Sequence, residues 1–212
     1  MKIKIYIIKY LINYIFVLYI KMKQLSFVLL FFSFIIITNE KNKKLITKNQ
    51  WVQSLIELAK RETRYMNTDP YNLLFYDGRI WYADCVNLHK ALFNGRNIYD
   101  FTPEIYQENL EITGDISAQE MIELCTDVSS DFSKLKEGEP RIIYLQGHVG
   151  AYLGKTISTS NGLFNVVETT TSFGEKIAFS WVDPDGKRRN AKNGYQQGKW
   201  RKHGLPSLWV TY

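Results

Sequence analysis

Between Asn49 and Thr63 the apolar residues Trp51, Val52, Leu55, Ile56, Leu58 and Ala59 recur at helical spacing, which predicts an amphipathic helix with one face on a core. The same spacing returns after Asp84, through Val86, Leu88, Ala91 and Leu92, and Asn94-Gly95 ends the run. Ser117-Ala118-Gln119-Glu120 has the form of a capping box ahead of Met121, Ile122 and Leu124, so a third, short helix is predicted up to about Cys125. Beyond it the pattern changes to strands. Arg141–Leu145, Gly147–Leu153, Leu163–Thr169, Ile177–Val182 and Ser207–Tyr212 are predicted strands, separated by turn signals at Glu137-Gly138-Glu139-Pro140, Ser160-Asn161-Gly162 and Asp183-Pro184-Asp185-Gly186. Residues 64–82, rich in tyrosine with turn signals at Asp69-Pro70 and Asp77-Gly78, and residues 96–114 read as irregular, and 187–204 as a polar, glycine-bearing loop. Helices first and antiparallel strands second is an α+β layout.

The first 38 residues stand apart from this pattern. Two apolar runs there are split by Lys21-Met22-Lys23, and the second, Leu25 to Ile37, has the length of a signal-peptide core. The expected leader is therefore a secretory signal, with Met22 as a plausible start, or else an uncleaved N-terminal membrane anchor; Ile37-Thr38-Asn39-Glu40 lacks the small residues of a usual cleavage site. Residues 39–48 are polar and lysine-rich and read as a linker, leaving 49–212 as one folded domain. The net charge of +6 invites a nucleic-acid reading, but five of the 27 basic residues (positions 2, 4, 9, 21 and 23) lie in the leader beside no acid. The remainder holds 22 basic residues against 21 acidic ones, with no basic stripe interleaved with aromatics, so no nucleic-acid partner is expected. Membrane contact is expected only through the leader, and the expected state is a monomer. Two cysteines, Cys85 and Cys125, are too few for a disulfide-stapled scaffold.

Three segments carry candidate chemistry. Residues 83–90 read ADCVNLHK, which puts Cys85 in the first turn of a helix, where unpaired amides and the helix dipole favour a thiolate and can bind an oxyanion. Taken alone, Cys85 reads more readily as a small buried hydrophobe. Residues 147–154 read GHVGAYLG; in a strand, Val149, Ala151 and Leu153 face a core while His148, Gly150 and Tyr152 face the other way. Residues 166–170 read VVETT, and if the two strands pair, Glu168 lies beside His148 and can fix its tautomer. His89 follows Cys85 by one helical turn and competes as a base or as half of a metal site, but nothing supplies the remaining ligands, so no metal is expected. His203 and Cys125 read as structural.

Taken in order, a cysteine opening a helix, a histidine on a strand and a polar residue on the next strand resemble the papain-like hydrolases, and more closely the NlpC-type cell-wall peptidases, relatives of the CHAP amidases. ADCVNLHKALFNG resembles that family's cysteine helix, GHVGAYLG its histidine strand and VVETT the strand after it. GDISAQEMIELCTDVSSDFSKLKEGEP and GKWRKHGLPSLWVTY resemble the flanks of one branch. The likeness runs from about residue 51 to 212. It implies a papain-like α+β fold and a cysteine hydrolase that needs no cofactor, acting on amide bonds of peptidoglycan stem peptides, with Cys85 as nucleophile, His148 as base and Glu168 in the third, polar position. It also implies an oxyanion and substrate region around Asp84, Asn87 and a tyrosine, with Tyr65, Tyr71, Tyr76 and Tyr82 as candidates. Val86-Asn87 stands where the family usually has Ser-Gly or Val-Gly, and YMNTDPYNLLFYDG replaces its Tyr-x-Trp-Gly-Gly segment, which bears on substrate preference.

Overall fold

Thr47 opens the first helix with a reciprocal cap: its hydroxyl accepts the Gln50 amide at 3.2 Å while the Gln50 side chain accepts the Thr47 amide at 3.0 Å. In the computed structural model, which describes residues 45–67, 73–101 and 112–212, this helix (α1, Lys48–Lys60) buries Trp51, Val52, Leu55, Ile56 and Leu58. The second helix (α2, Cys85–Phe93) starts under an Asp84 cap, and the third (α3, Ala118–Glu123) under the Ser117–Glu120 box that the sequence announces. The leader lies outside the described residues; among those described, no helix is long and apolar enough to cross a membrane.

The strands are β1 (Ile46–Thr47), β2 (Thr63–Tyr65), β3 (Phe75–Tyr76), β4 (Trp81–Ala83), β5 (Thr126–Ser129), β6 (Arg141–Leu145), β7 (His148–Thr159), β8 (Gly162–Thr170), β9 (Lys176–Val182), β10 (Lys187–Arg189), β11 (Gln196–Lys199), β12 (Lys202–Leu205) and β13 (Val210–Thr211). Eight of them form one sheet in the order β11-β10-β9-β8-β7-β6-β12-β5, and every pairing in it is antiparallel. β2, β4 and β3 form a small second sheet, and β1 pairs in parallel with β13. The molecule is thus α+β with few helices and one large antiparallel sheet.

Alternation divides the large sheet into two apolar faces. Ile142, Tyr144, Val149, Ala151, Leu153, Val167 and Ile177 join the buried residues of α1 and α2 in the main core. Ile143, Tyr152, Val166 and Val182 pack with Phe132 and Trp200 in a second, smaller core. The His148 strand therefore has apolar packing on both faces, and the segment expected to be a loop, 187–204, contributes Trp200 to the second one. That segment contains β10, β11 and β12, so the loop expectation is corrected: its strands are three or four residues long and rich in charge, and they pair at one edge and near the other edge of the sheet. Two boundaries also move. The expected linker 39–48 ends early, because Ile46–Thr47 already pair with Val210–Thr211 and α1 begins at Lys48. The final strand shrinks to those two residues, because Pro206–Trp209 form a turn closed by the Trp209 amide on the Pro206 carbonyl at 3.0 Å.

Candidate active site

Cys85 is the first residue of α2 and is buried. Asp84 fixes that helix start: one carboxylate oxygen accepts the Val86 amide at 2.9 Å and the Asn87 amide at 2.7 Å. The other accepts the Asn87 side-chain amide at 2.8 Å. Such a cap contributes about 1 kcal/mol to helix stability. Burial raises the Asp84 pKa, outweighing the two amide bonds and the charge of Lys90. The cap also narrows the oxyanion expectation. Two amides of the first turn are taken by Asp84, and the Leu88 amide returns to the Asp84 carbonyl at 3.2 Å, so the Cys85 amide is the one left to a ligand. Asp84 and the Asn87 side-chain amide therefore shape the helix start.

His148 begins β7, close enough to Cys85 for the two side chains to act on each other electrostatically. β7 and β8 pair antiparallel with Gly150 opposite Glu168, which brings Glu168 diagonally beside His148 on the same face. His148 Nε2 donates to Glu168 Oε2 at 2.7 Å, leaving Nδ1 for the sulfur. Burial opposes an imidazolium here, but the hydrogen bonds with Cys85 and Glu168 and the charges of both outweigh it, and His148 is pushed up to about 9. The imidazole also stacks on Trp200, with ring centroids 5.5 Å apart and 21° between planes. Gly150 makes room for this stack: a Cβ there would lie 3.1 Å from the Trp200 ring and 3.1 Å from the Glu168 Cβ. Gly150→Ala is accordingly expected to destabilise the domain by about 1–3 kcal/mol, measured as a fall in thermal unfolding temperature.

Glu168 is fully buried and fully occupied. Besides His148 it accepts the Ser180 hydroxyl at 2.5 Å on Oε1, and Arg188 through Nε at 3.1 and 3.0 Å on the two oxygens and Nη2 at 2.6 Å on Oε2. Burial pushes its pKa up, but the bonds from His148 and Arg188 and their charges win, and the carboxyl is held below its ordinary value. Breaking one side of a buried pair of this kind costs about 3–5 kcal/mol. Ser180, Arg188 and Trp200 are absent from the sequence reading of the site. No family model, curated protein or solved structure matches this chain.

The remaining candidates separate. Tyr82 alternates with the buried Trp81 and Ala83, so it points the other way, and its hydroxyl donates to Asp77 at 2.9 Å in the neighbouring turn. Tyr76 packs its ring on Trp81 and Phe101. Tyr71 lies outside the described residues. Tyr65, half-buried at the end of β2, is the described tyrosine that senses the site: burial and then the charges of Cys85 and Asp84 raise its pKa, and its hydroxyl donates to Asn67 at 3.1 Å. His89 does not compete as base. Neither of its ring nitrogens has a partner, its ring lies against Trp51 and Phe93, and burial followed by the charge of His148 lowers it to about 3, so it stays neutral. His203 sits between the Arg141 guanidinium at 3.1 Å and the Asp131 carbonyl at 3.0 Å, a structural role. Cys125 gives its S–H to the Met121 carbonyl at 3.3 Å, and burial pushes its thiol up to about 12. Both cysteines are free.

Proposed function

We propose that this protein is a cysteine hydrolase of the papain-like, NlpC-type kind, cutting amide bonds in bacterial peptidoglycan stem peptides by way of a thioacyl-enzyme. The observation that carries the chemistry is the line Cys85–His148–Glu168, in which a thiol at a helix start meets an imidazole whose far nitrogen is held by a buried carboxylate. The substrate class rests on the sequence resemblance.

The steps follow from the positions. A His148 pushed up to about 9 is an imidazolium at neutral pH, a proton donor near the sulfur, and the reactive form of the pair is the one in which Cys85 has given up its proton. The thiolate adds to the carbonyl carbon, and the developing oxyanion meets the Cys85 amide. His148 gives its proton to the leaving nitrogen, the C–N bond breaks, and an acyl thioester remains on Cys85. Neutral His148 then takes a proton from water as the hydroxide attacks the thioester, the acid leaves, and the ion pair is restored. Glu168 keeps the imidazole in one tautomer and one orientation throughout. The leader, as signal or anchor, would put this activity outside the cell or at its membrane.

Digestion of purified peptidoglycan by the protein, with identification of the newly formed amino termini, tests the function and names the bond. New termini adjacent to a D-amino acid or a diamino acid are expected. No new termini, together with a Cys85 thiol inert to iodoacetamide at neutral pH, would leave a binding module of the same shape. The pH profile has a fixed sign: the proton that His148 delivers is lost as pH rises through about 9, so turnover falls on that alkaline limb.

A further inference from the structure

We propose that Arg188 is a positioning residue of this site, holding Glu168 as an ionised and aimed acceptor so that it orients His148 without taking its proton. The inference rests on the hydrolase reading of Cys85 and His148.

The case begins with charge. In the reactive form a thiolate, an imidazolium and a carboxylate sum to one unbalanced negative charge, and Glu168 has no exposure to water that would disperse it. The described groups whose charges act on Glu168 are His148, from β7, and Arg188, from β10; Ser180, from β9, adds a neutral donor, and beyond His148 lie Cys85 and the uncharged His89 of α2. Arg188 closes the balance with a fourth charge, and a guanidinium cannot give its proton away.

The hydrogen bonds favour the ionised carboxylate. Oε1 receives the Ser180 hydroxyl, Oε2 receives His148 Nε2 and Arg188 Nη2, and Arg188 Nε reaches both oxygens. Each of these four donors bonds better to a carboxylate than to a carboxylic acid, so together they hold Glu168 ionised. Arg188 is in turn held from behind: Nη2 also donates to the Thr170 hydroxyl at 2.8 Å, Nη1 to the Gln197 carbonyl at 3.2 Å, and the guanidinium lies 4.6 Å from the Phe173 ring centroid. It is buried, so it is not free to swing to solvent. Without it, the Glu168 carboxyl would take up a proton at a higher pH, and a protonated Glu168 no longer holds the imidazolium beside Cys85.

The test compares full-length wild type, Arg188→Met, Glu168→Gln and the double variant Glu168→Gln/Arg188→Met, each checked for folding by circular dichroism. The readout is the rate of Cys85 alkylation by iodoacetamide from pH 4 to 10, located by mass spectrometry, alongside hydrolysis. Arg188→Met is expected to move the acid limb up by about one pH unit and to slow hydrolysis about 10²-fold, the cost of a misaimed catalytic group. In the Glu168→Gln background there is no charge to balance, so removing Arg188 should leave the acid limb where Glu168→Gln puts it; this comparison holds even if Arg188→Met alone does not fold. A further shift on removing Arg188 from that background, or a folded Arg188→Met with the wild-type acid limb, overturns the inference while the hydrolase reading stands. A wild-type Cys85 inert at neutral pH overturns both.

Discussion

Replacing His148 by glutamine is expected to slow hydrolysis by about 10³-fold or more and to shift alkylation of Cys85 to alkaline pH. Glutamine is close in size and can still meet Glu168, so the strand and its partners remain, but its amide cannot act as an acid or a base near neutral pH. Three losses then coincide. The thiolate loses the cation whose charge acts on it, the leaving nitrogen loses its acid, and the thioester loses the base that activates water. Alkylation is expected to follow an ordinary thiol, whose pKa is about 8.5, whereas the wild type is expected to react at neutral pH. A His148→Gln protein that alkylates like wild type at pH 6 would mean that the imidazole does not act on the sulfur.

Cys85→Ala should remove covalent turnover altogether, again a loss of about 10³-fold or more, while leaving the fold intact. The position is the first of α2, alanine is the best helix former, and Asp84 caps the helix through the amides of Val86 and Asn87, which the substitution does not touch. Thermal unfolding is therefore expected to stay close to wild type, which separates a chemical loss from a structural one. Because Cys85 and His148 act as one unit, the double variant should be hardly slower than either single one. Additive losses in the double variant would show that the two residues work independently.

The site was legible in the sequence where local rules apply. Asp84 and Ser117 cap helices because short side-chain acceptors before an apolar run have few other uses, and both helices begin where those residues place them. Alternation gave the faces of the His148 and Glu168 strands and left their pairing as a condition, which the β7–β8 register meets. What stayed hidden depends on chain that comes back from afar. Trp200 reaches the His148 ring from a segment whose short, charged strands give no alternation to read. A trace of Arg188 was present. Asp183-Pro184-Asp185-Gly186 is a hairpin turn, a hairpin needs a return strand, and Arg188 pairs with Val182 across it. Ser180 and Glu168 are polar residues on faces otherwise occupied by Val166 and Val182, and two polar side chains on one apolar face call for each other and for a charge. The small β2-β4-β3 sheet that places Tyr65 near Cys85 is built of strands of two or three residues, too short for any period to show.

The pairing of Ile46–Thr47 with Val210–Thr211 has a practical corollary. Both strands run the same way side by side, and each is two residues long, so Leu45 and Tyr212 are separated by roughly 10–15 Å at about 3.3 Å per residue. A glycine-rich connector of a few residues would bridge that gap, and the backbone could be reopened at Ser160-Asn161, the hairpin at the opposite end of the strand that His148 begins. The result would be a circularly permuted chain that keeps Cys85, His148 and Glu168 in their present order in space while reversing which half of the polypeptide is made first.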